Sequence, residues 1–198
     1  MLIVTVTIAL DHFGNRTMRL RVLALFLLAV AAAPVAAQGN PQTREGFWIS
    51  FGLGYGSLGC DIDNGDDDCT DRESGTHGYL RMGGTLSQRL LIGGEINVWN
   101  KSRDQASLTV SNFGPVLYFY PNPMGGLFLK GGLGLATISF DFGPVEFEEN
   151  GAGLTLGLGY DARVGRNFAL TPYLDILTSS FDGISFNQVA FGLGFTWP

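Results

Sequence analysis

The chain has 198 residues, a formal net charge of −6 and 29 glycines. The acidic balance leaves no basic patch to neutralise phosphates, which argues against a nucleic-acid partner. The glycines keep no three-residue period, which excludes a collagen-like rod.

The first recognisable element lies at Met18–Ala37. Arg19 and Arg21 make a short basic stretch, Val22–Ala33 is an apolar run, and Pro34–Ala37 offers small residues for cleavage. These are the three parts of a secretory signal peptide. The apolar run is too short for a spanning helix, which needs ~20 residues. Met1–Thr17 fits poorly ahead of it, with Asp11, His12 and one basic residue, Arg16. Either Met18 is the true start, or the signal has a long leading region. The expected organisation is therefore 1–37 as extension and signal, with the signal proper at 18–37, and 38–198 as one domain. That domain carries nine Lys+Arg and seventeen Asp+Glu.

Eight blocks of alternating large apolar and small or polar residues follow. They are Gly46–Ser57, Gly75–Leu86, Arg89–Asn100, Ala106–Tyr120, Leu127–Phe140, Gly151–Val164, Asn167–Phe181 and Phe186–Trp197. The last is the clearest. Val189, Phe191, Leu193, Phe195 and Trp197 alternate with Gln188, Ala190, Gly192, Gly194 and Thr196. A soluble sandwich would bury its large face and show a polar one. Here the second face is glycine, alanine and hydroxyls with scattered charges, too small to be the outside of a soluble protein, so the large face is expected to meet lipid. A sheet in lipid must close, because every backbone group needs a partner. The expected fold is all-β: an eight-stranded antiparallel up-and-down transmembrane β-barrel. Short connections (Ser87-Gln88, Pro121–Gly126, Gly165-Arg166) alternate with longer ones (Leu58–Ser74, Lys101–Gln105, Asp141–Asn150, Asp182–Ser185). Short periplasmic turns and longer external loops have this pattern.

The loop after the first block holds both cysteines, Cys60 and Cys69. In an oxidising compartment with no other partner, a disulfide is expected. Asp61, Asp63, Asp66, Asp67 and Asp68 lie between them. Hard cations want several carboxylates around one turn, so a calcium site stands as the alternative to a solvated acidic loop. The spacing does not match an EF-hand. Glu146, Glu148 and Glu149 are expected to make a second acidic patch in the third loop.

Alternation places Phe51, Leu53, Leu80, Met82, Ile92, Ile96, Leu129, Leu133, Leu156, Leu158, Leu174 and Ile176 outside. The same phase places Arg81, Glu95, Lys130, Asp161, Arg163 and Asp175 inside. Charge on the lipid side costs about 2–4 kcal/mol at midplane, so these six are expected to pair in the lumen. An interior plug is set beside a gated proton or ion path. Phe47, Trp48, Phe119, Tyr120, Phe128, Phe168 and Trp197 at one end, and Tyr55, Trp99, Phe140 and Phe181 at the other, are read as aromatic girdles.

Gly157–Asn167, Leu170–Tyr173 and Phe191–Trp197 carry a resemblance. The chain resembles the small eight-stranded outer-membrane barrels, the OmpX and OmpA transmembrane-domain class, within the generic outer-membrane β-barrel family. The resemblance implies an outer-membrane location and a carboxy-terminal aromatic signal, here Phe191, Phe195 and Trp197, read by the barrel-assembly machinery. In this chain the terminal aromatic is penultimate, ahead of Pro198. The implied partners are outer-membrane lipid, lipopolysaccharide and an external protein, with a monomeric barrel and no cofactor. Enzymes exist among such barrels. The one histidine of the mature chain, His77, has no motif pairing it with a nucleophile, so no catalysis is expected. A structural or interaction protein is the favoured function, ahead of small-solute or apolar-compound transport and a lipid-modifying enzyme.

Overall fold

The computed structural model describes residues 44–62, 72–103, 106–141, 146–165 and 167–197. The signal region, Cys69, Asp63, Asp66, Asp67, Asp68 and Pro198 lie outside them. Nine strands follow in chain order: β1 Phe47–Ile62, β2 Glu73–Ser87, β3 Leu90–Arg103, β4 Ala106–Phe119, β5 Leu127–Asp141, β6 Glu146–Tyr160, β7 Ala162–Gly165, β8 Phe168–Phe181 and β9 Ile184–Trp197. Each pairs antiparallel with its neighbours in the sheet, and β1 pairs with β9 from Ile49↔Trp197 to Ile62↔Ile184. That last ladder closes the ring. β6 and β7 both pair with β8, so they form one stave and the closed barrel has eight.

The break between β6 and β7 falls at Asp161. Its amide donates to Gly126 O at 2.9 Å, in the β4–β5 turn, instead of to a ladder. The expected block Gly151–Val164 is therefore interrupted by a bond to a distant turn.

The strands also run further than the blocks. The full staves hold 14–16 residues, against about 9–11 needed to cross a bilayer. The excess lies at the loop end, where hairpin pairing continues beyond the apolar band. Glu146, Glu148 and Glu149 accordingly sit in β6, opposite Asp141, Ser139 and Ile138. This corrects the expected third-loop patch. The β8–β9 connection shrinks to Asp182-Gly183, with Gly183 at φ +80°, the left-handed residue such a tight turn needs.

The side-chain phase matches the expected faces. Phe51, Leu53, Leu80, Met82, Ile92, Ile96, Leu129, Leu133, Leu156 and Ile176 are exposed on the outer wall. Leu158 and Leu174 are half-buried there.

The aromatic girdles need correction. Phe47, Phe119 and Trp197 face out, but Trp48, Trp99, Tyr120, Phe128 and Phe181 are buried inside. Each is one residue out of phase with the lipid face. Other strands supply glycines where these rings lie. A Cβ on Gly93 would meet Trp48 at 2.8 Å, one on Gly56 would meet Trp99 at 2.7 Å, and one on Gly159 would overlap the Phe128 ring.

The β4–β5 ladder is incomplete as well. β4 and β5 pair at Phe113↔Leu135 and again at Val116↔Gly132, with Gly114 and Pro115 skipped, although both pair with β3 on the other side. Pro115 has no N–H to donate. Outside the gap lies an apolar groove of about 470 Å³ between Ile92, Pro115, Leu117, Leu133 and Leu156. Inside it lies a cavity of about 10 Å³ beside Glu95, Asn112 and Thr155.

Candidate functional site

The lumen is the candidate site, and it is layered. At the turn end, Trp48, Leu91, Val116, Tyr118, Tyr120 and Phe128 form one buried cluster. At the loop end, Leu58, Trp99, Val110, Ala136, Ile138 and Phe181 form another, with Leu108, Phe140 and Phe186 against it. The charged centre lies between them.

That centre follows from register. Arg81 and Glu95 are direct cross-strand partners in β2 and β3. Their side chains meet at 2.5 Å, Nε to Oε2. Arg81 Nη2 lies 2.5 Å from Asp175 Oδ2 on β8. Lys130 on β5 completes the square, 2.6 Å from Glu95 Oε2 and 3.0 Å from Asp175 Oδ2. Lys130 reaches Asp175 across Gly157 of β6, where a Cβ would overlap Asp175 Oδ1 and lie 2.6 Å from Lys130 Cε. Two cations and two carboxylates alternate, all at most 5% exposed. Asn97 donates to Glu95 Oε1 at 2.5 Å, and the Arg81 guanidinium lies 3.4 Å above the Tyr79 ring. Hydrogen bonds and stacking of this kind make a buried ion cluster tolerable.

Asp161 and Arg163 do not join this square. They sit at the turn end, where Asp161 accepts from Tyr120 and Thr171, both at 2.8 Å. The hydroxyls continue inward: Thr171 Oγ1 lies 2.9 Å from Thr196 Oγ1, Thr196 donates to Ser50 at 2.9 Å, and Ser50 lies 3.2 Å from Tyr79 OH. The six expected charges thus form two groups, four in the centre and two below.

Sequence reasoning missed Arg44. It precedes β1, so no alternation assigns it a face, yet it is 2% exposed. Its guanidinium lies 3.5 Å above the Tyr120 ring. It donates to Pro123 O at 3.1 Å and Gly125 O at 2.6 Å. Its backbone exchanges two 2.9 Å bonds with the Gln88 side chain. The residue ties the chain entry to two turns and caps the lumen.

His77 points inward and is buried, with Nδ1 2.9 Å from Tyr173 OH. Cys60 lies near the loop end of β1, opposite Phe186, and there is no free cysteine among the described residues. Asp61 pairs through its backbone with Ser185. No cluster of three or more metal-binding side chains occurs among the described residues. On the outer wall at the turn end, Phe195 and Trp197 contact Phe51 and Phe168, with ring centroids 4.9–6.0 Å apart. Phe191 stands opposite Tyr55.

Residues 22–196 match the family model described as outer membrane protein beta-barrel domain. Among solved structures, the chain is similar to Ail, the attachment invasion locus protein of Yersinia pestis, in complex with the heparin analogue sucrose octasulfate. Identity is 15%, the match covers 77% of this chain and 99% of that one, and the TM-score is 0.56. It is also similar to Neisserial surface protein A, at 11% identity, 79% and 99% coverage and a TM-score of 0.58. No curated protein sequence matches the chain.

Proposed function

The chain belongs to the outer membrane protein beta-barrel family, and from that membership we propose a structural and interaction role, with a side-chain-plugged lumen and an acidic external surface. The protein is an outer-membrane β-barrel. The observation that carries the plug is the Arg81–Glu95–Lys130–Asp175 square, walled by an apolar cluster on each side. An eight-stranded barrel has only enough interior for side chains, and this one spends it on ions and rings.

The external surface sets the partner's chemistry. Asp141, Glu148 and Asp182 are exposed at the loop end. Lys101 there is engaged by Glu73, and Arg72 donates to Ser57 and Asn187. An acidic rim repels a sulfated ligand such as the one bound to Ail, and favours a cationic protein or divalent cations shared with lipopolysaccharide headgroups. The Asp61–Asp68 carboxylates would extend that rim as a solvated acidic loop. A Cys60–Cys69 disulfide would close the loop's base, a reading supported by the lack of a free cysteine among the described residues. Phe191, Phe195 and Trp197 would serve the assembly machinery, and the barrel would stand as a monomer in lipid. His77 is engaged by Tyr173 inside the wall, which supports a protein that is not an enzyme.

Planar-bilayer recording tests the proposal. The plugged barrel should give no steady conductance. A stable ohmic step would overturn it in favour of small-solute passage.

A further inference from the structure

Pro115 stands on the lipid-facing wall, but the bond it removes is felt on the inside. The β4–β5 register is the same on both sides of the gap, with Phe113↔Leu135 before it and Val116↔Gly132 after it. The strands therefore do not slip, and pairing lapses only around the proline. In an antiparallel ladder a residue turns its N–H and C=O to the same neighbour. If Pro115 turned them to β3, the missing donor would break the β3 ladder, yet Gly94↔Pro115 is intact. The missing bond is the one an N–H at 115 would give to Leu133 O.

That carbonyl finds no donor on the lipid side. The groove over the seam is lined by Ile92, Leu117, Leu133 and Leu156, all exposed on the outer wall. Within a bilayer each backbone group must be satisfied inside the protein. Leu133 O is reached from the lumen, because a Cβ on Gly114, which lies in phase with the buried Asn112 and Val116, would overlap it. On that side is the cavity of about 10 Å³, lined by Leu133, Gly114, Asn112, Thr155 and Glu95 among others. Its size suits about one water. Asn112 is 5% exposed, and its Nδ2 has no hydrogen-bond partner among the described residues.

The two groups have opposite needs. Leu133 O requires a donor, and Asn112 Nδ2 requires an acceptor. A halide cannot donate to a carbonyl, and a metal cation cannot accept from an amide. We infer that the seam binds one ordered water, which stands in for the N–H that Pro115 lacks. The water accepts from Asn112 Nδ2 and donates to Leu133 O. The Thr155 hydroxyl and the Glu95 carboxylate on the same wall offer acceptors for its second hydrogen. Three partners are typical of a buried water, and a bridging water is nearly as good as a direct bond.

Crystals of the protein grown in bromide should show water density in the cavity, within hydrogen-bonding reach of Leu133 O and the Asn112 amide, with no anomalous signal. In lipid nanodiscs, the Asn112 side-chain amide should show a cross-relaxation peak to a long-lived water. Pro115→Ala supplies the missing donor. In that variant the water peak should be lost, and the new amide at 115 should be protected from exchange. The wild-type measurements need no variant, so a misassembled mutant does not protect the idea. An empty cavity in the wild-type crystal would overturn it, as would an anomalous bromide peak there. A protected amide at 115 with the water peak unchanged would overturn it too, since the water would then not replace the proline's donor.

Discussion

Arg81 shows why single residues matter in this lumen. Its guanidinium spans two carboxylates from two strands and stacks on Tyr79. Lysine offers a point charge and no planar fork, so Arg81→Lys should lose the bridge while keeping the charge. The carboxylates are just as fully engaged. Glu95 meets Arg81, Lys130 and Asn97 at once. Glu95→Gln removes its charge and leaves the square with two cations and one anion. Urea unfolding in lipid vesicles should show a loss of about 3–5 kcal/mol, the scale for breaking a buried pair. Glu148→Gln, on the exposed rim, should stay within about 0.5 kcal/mol. Equal losses would mean that Glu95 is solvated. The sequence already carries this contrast, because alternation puts Glu95 on the small-residue face. What it does not carry is the partition of six charges into two groups. That depends on which strands lie across the lumen, and no local pattern encodes it.

At the scale of the strand, β6 is the thin stave. Gly153, Gly157 and Gly159 stand where larger side chains would collide with Asn112, with Asp175 and Lys130, and with Phe128. Gly157→Ala puts a methyl into the Lys130–Asp175 contact and should cost about 1–3 kcal/mol by overpacking. Gly84→Ala, at a position with nothing within 4 Å of an added Cβ, should be nearly neutral. Unfolding midpoints of the two variants measured side by side check the contrast. The same glycines explain the misread girdles. Trp48, Trp99 and Phe128 look like interface anchors by position, but each side chain is a single residue out of phase with the lipid face. The glycines that receive them lie on other strands, visible only once the register is known. Strand existence and phase were legible because one face must be apolar all the way across the bilayer. Strand ends were not, because hairpin pairing at the loop end continues where hydrophobicity no longer reports it. The break at Asp161 was illegible for a simpler reason: its amide partner, Gly126, is 35 residues away.

For the whole molecule, closure is made by β1 and β9, fourteen register pairs from Ile49 to Ile62. Cys60 lies within that closing ladder, which forms from backbone pairing alone. Replacing Cys60 and Cys69 by serine should therefore leave the barrel's circular-dichroism spectrum unchanged, while protease cleavage between residues 58 and 74 increases. Loss of barrel signal in the double variant would show that closure depends on the cross-link. Seams without full pairing lie elsewhere, at Gly114 and Pro115 against β5 and at Asp161 against β8. A ring with interrupted seams does not deform evenly. Squeezed by the surrounding bilayer, it should flatten about those lines, so the soft seams set the direction of the barrel's elastic motion. Deuterium should then enter the Leu133 amide, which lies opposite Pro115, before the amides bonded into the continuous β5–β6 ladder. Pro115→Thr, which restores a donor, should slow that entry and stiffen the cross-section as a whole.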